Sequence, residues 1–100
     1  MESNTKTMNA EELIIQIPSM YAVVFYNDDI TTMEFVTEVL IKVFHKQAVE
    51  ASAIMMHIHQ QGHGVAGIYT YDVAVTKKSQ TDRLSAERGF PLRLAVEEAD

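Results

Sequence analysis

Residues 20 to 26, MYAVVFY, constrain the fold more than any other stretch. They are rich in β-branched and aromatic side chains and bounded by Pro18 and by Asn27-Asp28-Asp29. Such a segment reads as a strand buried on at least one face. A helix follows at once. Thr31 with Glu34 fits a capping box, and Val36, Val39, Leu40, Val43 and Phe44 then repeat at helical spacing, giving an apolar face that must pack on a sheet.

A second helix is expected from about Gln47 to Gln61, with Ala51, Ile54, Met55 and Ile58 on one side and Gly62 placed to stop it. GVAGIYT (64 to 70) reads as the next strand. A third helix carries Asp72 in its first turn, where it complements the dipole, and runs to about Arg88 before Gly89 ends it. Its apolar stripe of Val73, Ala74 and Leu84 is sparse. PLRLAVE (91 to 97) closes the chain as a strand in which Leu92, Leu94 and Val96 alternate with Arg93, Ala95 and Glu97. The order β-α-α-β-α-β implies an α+β fold, an α/β sandwich in which a three-stranded sheet has helices packed on one face.

Composition limits the function. One hundred residues with 47% hydrophobic content make one domain. The net charge is −6 and the eight basic residues are scattered, so the stripe of positive charge that nucleic acid requires is missing. With no cysteine, disulfides and thiolate metal sites are excluded, and a cytoplasmic protein is the expectation. Leu13-Ile14-Ile15, broken by Gln16, is too short for a signal sequence or a membrane span. Residues 1 to 12 are polar and aperiodic, and residues 1 to 17 are expected to form a disordered tail ahead of a domain over 18 to 100.

The chemistry-bearing residues argue against an enzyme. HIHQQGH (57 to 63) invites a metal reading, but His57 and His59 lie about 200° apart around a helix, and the helix-ending Gly62 separates His59 from His63. No metal or other cofactor is expected. Asp28 and Asp29 point apart, with neither a nucleophile nor a phosphate loop to complete a mechanism. What remains is recognition of a cation. Asn27, Asp28 and Asp29 at a strand end, beside Met55, Ile58 and His59 on the second helix, could frame a pocket with an acidic rim and an apolar floor, suited to an ammonium that carries a large apolar group. The same residues also serve as a plain solvated turn and ordinary core.

The stretch PSMYAVVFYNDDITTMEFVTEVLIKVF, followed by MHIHQQGHGVAGIYTYDVA, resembles the ClpS family, adaptors that deliver N-end rule substrates to the Clp AAA+ protease. The motif N-D-D-x-T-x-M-E-F and the Met55 to His59 spacing carry the resemblance, which covers residues 18 to about 97. It implies a fold similar to the C-terminal domain of the ribosomal stalk protein. It also implies that Asn27, Asp28 and His59 hold the α-amine of a peptide, that Asp29 shapes the rim, and that Thr31 caps the helix and touches the peptide backbone.

Ile30, Met33, Met55, Ile58 and Leu92 would line a side-chain pocket for Phe, Tyr, Trp or Leu, with Met33 as a gate against β-branched residues. Thr32 stands where many relatives have proline, and Ile58 where valine is frequent. Asp72 and Lys77 match positions that dock on the N-terminal domain of a ClpA-like or ClpC-like unfoldase. The implied partners are peptides and proteins bearing N-terminal degrons and that unfoldase, bound by a monomer, with neither nucleic acid nor a membrane involved. The alternative is a general protein-interaction module without amine specificity.

Overall fold

The computed structural model describes residues 9–11 and 18–99. Most of the expected N-terminal tail therefore lies outside the described residues. The elements run β1 (Met20–Tyr26), α1 (Met33–Lys42), α2 (Ala48–Gln61), β2 (His63–Thr70), α3 (Tyr71–Arg88) and β3 (Arg93–Glu98). This is the expected β-α-α-β-α-β order. The strands form one sheet in the order β2-β1-β3, with β1 antiparallel to both neighbours. β1 is central, so Ala22, Val23, Val24 and Phe25 are all buried. Val23 and Phe25 belong to the core under the helices, and the period of two turns Ala22 and Val24 to the other face.

α1 contributes Phe35, Val36, Val39 and Leu40 to the core, and α2 contributes Ala51 and Ile58. Phe44, just beyond α1, meets Phe25 edge to face at 5.4 Å, a favoured aromatic geometry. Gly62 and Gly89 end α2 and α3 in left-handed conformations, φ 90° and 76°, which glycine adopts without penalty.

Two expectations need correction. The N-cap of α1 is Thr32, whose hydroxyl accepts from the Phe35 N–H at 3.1 Å; Thr31 lies in the preceding loop. Of the expected α3 stripe, Ala74 is buried and Leu84 packs half-buried against the core, but Val73 is exposed and Thr81 and Ser85 complete the buried face. Thr81 and Ser85 donate their hydroxyls to the carbonyls of Lys77 and Thr81, both at 2.9 Å, so polar residues enter the core with their hydrogen bonds satisfied. Arg88 at the end of α3 reaches Glu38 of α1 at 2.8 Å, and with Lys42 it holds the Glu38 carboxyl down to about 2. Among the described residues, no helix is long and apolar enough to cross a membrane.

Candidate functional site

Where β1 leaves the sheet, its end is bonded to the end of α2. The Asn27 N–H donates to the Gly62 carbonyl at 2.9 Å, and the Gly62 N–H donates to the Ile58 carbonyl, also at 2.9 Å. One glycine residue therefore couples the loop after β1 to the last turn of α2.

Asp28 organises that loop. Its Oδ1 accepts the N–H groups of Ile30 at 2.8 Å and Thr31 at 2.6 Å, and its Oδ2 accepts the Thr31 hydroxyl at 2.7 Å. Partial burial alone would raise the Asp28 pKa, but the hydrogen bonds from Thr31 and Ile30 outweigh it and leave the pKa below its ordinary value. The sign follows by linkage. The depressed folded value means that these bonds contribute fully above the unfolded pKa, and the contribution is lost as pH falls through the folded pKa.

Between this loop, the start of α1 and the last turns of α2 lies a cleft of about 410 Å³. That volume is in the range of small-ligand sites. Asn27, Asp28, Asp29, Ile30 and Thr31 line it from the loop, Met33 and Val36 from α1, and Met55, Ile58 and His59 from α2. Asn27, Asp29 and His59 are exposed, as are Met33 and Glu34, whereas Ile58 is buried at the floor and Met55 is half-buried. Ile30, 66% exposed, stands at the rim as an apolar side chain facing solvent.

Nine of the ten residues that the sequence places at an amine and side-chain pocket thus lie around one cleft. Leu92 does not: it is buried in the core just before β3 and is not among the lining residues. The sequence reading missed Thr32, Glu34 and Val36 as wall residues, because helical spacing marks Val36 only as core and the capping-box pattern marks Glu34 only as part of a cap.

The two aspartates differ. Three hydrogen bonds from its own loop engage Asp28, while Asp29 makes none to the described residues. Asn27 and His59 also keep their side chains without such partners. The cleft thus offers an amide oxygen, a carboxylate and an imidazole nitrogen at one end, with methionine and isoleucine at the other.

The two remaining candidate positions lie elsewhere. Asp72 sits exposed in the first turn of α3, beside a shallow hollow that also includes His45, Thr76 and Lys77. The Lys77 ammonium donates to the Val43 carbonyl at 2.7 Å, and lies 5.3 Å from the Tyr69 ring centre and 5.8 Å from that of Phe44. It therefore caps the C-terminal end of α1. Among the described residues no group of three His, Asp or Glu side chains converges.

The family profile described as "ATP-dependent Clp protease adaptor protein ClpS" matches residues 16–95. The ClpS adapter of Acetivibrio thermocellus is 51% identical over 80 residues, covering 80% of this chain and 81% of its own. That of Wolinella succinogenes is 47% identical over 96 residues, covering 96% and 94%. Among solved structures, Agrobacterium tumefaciens ClpS2 bound to L-phenylalaninamide superposes with a TM-score of 0.79 at 38% identity, covering 82% of this chain and 99% of that one.

Proposed function

Because this chain belongs to the ClpS family of ATP-dependent Clp protease adaptors, we propose that its cleft receives the first residue of substrate proteins and that the adaptor hands them to a Clp unfoldase. The carrying observation is the pairing, in one cleft, of the Asn27, Asp29 and His59 side chains, which no described residue engages, with an apolar floor. An α-ammonium has three N–H donors, and the Asn27 amide oxygen, the Asp29 carboxylate and a neutral His59 nitrogen supply three acceptors. Asp28, which the resemblance implies for the amine, keeps room on Oδ2 for a contact, and Asp29, which takes no hydrogen bond from the described residues, is proposed as the direct carboxylate contact. The ligand of the Agrobacterium relative, a phenylalanine with its carboxyl capped as an amide, combines such an amine with an aromatic side chain.

Met33 and Met55 flank the space for that side chain, and Met33 is 42% exposed at the first turn of α1. A flexible, bulky thioether there leaves room for an unbranched Cβ and crowds a branched one, which favours Phe, Tyr, Trp and Leu. Met33→Ala should therefore admit peptides that begin with Ile or Val. Discrimination over one methyl group is about 1–3 kcal/mol, so titration should show a clear gain that is not absolute. A variant that rejects Ile as strongly as the parent would make Met33 a wall residue without a gating role.

Docking on the N-terminal domain of a ClpA-like or ClpC-like unfoldase is assigned to the α3 face around Asp72, with Lys77 ordering the adjoining end of α1. The polar segment 1–17 is assigned a part in delivery and none in recognition, because it precedes β1 in the sequence and contributes none of the described residues that line the cleft. Degradation of a Phe-tagged reporter by a Clp protease tests the adaptor reading and the assignment of the N-terminal segment. The full chain should accelerate it, while a protein beginning at Ile17 should keep its peptide affinity and fail to do so. No acceleration by the full chain would overturn the adaptor reading, and full acceleration by the shortened protein would make the segment a passive terminus.

A further inference from the structure

The floor of the cleft rests on a residue that does not line it. Gly64 is in β2, paired with Phe25 of β1, and buried under the last turn of α2. A Cβ built there would lie 2.9 Å from Ile58 Cγ1 and 3.0 Å from His57 Cδ2, closer than folded proteins tolerate without movement. The His57 ring is exposed and can move aside. Ile58 cannot do so easily, since it is 2% exposed, packed in the core and stiff at its branched Cβ. The absence of a side chain at 64 is what lets Ile58 sink against the sheet.

Ile58 is also the cleft floor, and His59 is its chain neighbour. The Ile58 carbonyl is joined through the Gly62 peptide to Asn27. Lifting this turn of α2 would therefore raise the floor and shift two of the amine acceptors together.

We propose that Gly64 is a specificity-determining position: by letting Ile58 pack directly on β2, it sets the depth of the side-chain pocket and so the largest first residue that the protein accepts. This rests on the amine-pocket reading above. Gly64→Ala fills the space below Ile58 and makes the pocket shallower. Adding Ile58→Val removes Cδ1, so the displaced side chain can retreat without intruding on the cleft.

The test is titration of free-amine peptides beginning with Leu, Phe and Trp against the parent, Gly64→Ala, Ile58→Val and the double variant, with each variant's folding checked by thermal melting. Gly64→Ala should weaken Trp and Phe binding about tenfold or more, and Leu binding less. The double variant should return to within about threefold of Ile58→Val alone, a non-additivity expected of residues in contact. Unchanged affinities, an equal loss for all three peptides, or strictly additive effects would overturn the proposal. Failure of the pocket reading would look different: the parent would not distinguish free from acetylated peptides at all.

Discussion

Phe25→Ala should destabilise the fold by about 3–5 kcal/mol, enough to remove a large part of the stability of a domain this small. Phe25 is fully buried in the central strand, pairs with Gly64 on one side and Leu94 on the other, and meets Phe44 edge to face. Truncation removes the ring, its aromatic contact and the packing of three elements, and the backbone pairing on both sides limits how far the hole can collapse. The midpoint of urea unfolding should fall accordingly, with the slope of the transition unchanged. A loss below about 1 kcal/mol would show that the core closes over the missing ring.

β1 and α1 were legible because each carries its own period. β1 is dense in β-branched and aromatic residues, and α1 repeats its apolar positions over three turns. The packing of α3 was not legible, since hydropathy does not register a threonine and a serine whose hydroxyls are turned back onto carbonyls four residues earlier. Nor was the choice between two adjacent threonines as the cap of α1. Either could serve by type. The structure resolves it through Asp28, which takes both the N–H and the hydroxyl of Thr31 into the loop and leaves Thr32 to meet the Phe35 N–H.

That hydrogen-bonding arrangement also distinguishes the two aspartates: Asp28 accepts three hydrogen bonds from its own loop, and Asp29 accepts none from the described residues. Most of the cleft could be read from helical spacing and from the resemblance, because Met55, Ile58 and His59 fall within one turn of α2. Lys77 and Leu92 could not: one reaches a carbonyl on a different helix and the other turns into the core, and both facts depend on contacts distant in sequence.

The central claim is that the polar end of the cleft holds a free α-ammonium. Asn27, Asp29 and His59 stand exposed around it, their side chains without partners among the described residues, and the floor beneath is apolar. Acetylation removes the charge and two of the three N–H donors, and it leaves the cleft's acceptors desolvated without partners when such a peptide is bound. The expected loss is about 2–5 kcal/mol, or roughly 30-fold to several thousand-fold in affinity. Asp29→Ala and His59→Ala should fold normally and weaken the free peptide in the same direction, while leaving the already weak acetylated form almost unchanged. The decisive measurement is a fluorescence-anisotropy titration of one Phe-initiated peptide in its free-amine and N-acetylated forms, run side by side against the full chain. Tight binding of the first with a loss of at least about 30-fold for the second is the predicted result; equal affinities would contradict the account and leave the cleft as a general apolar interaction surface.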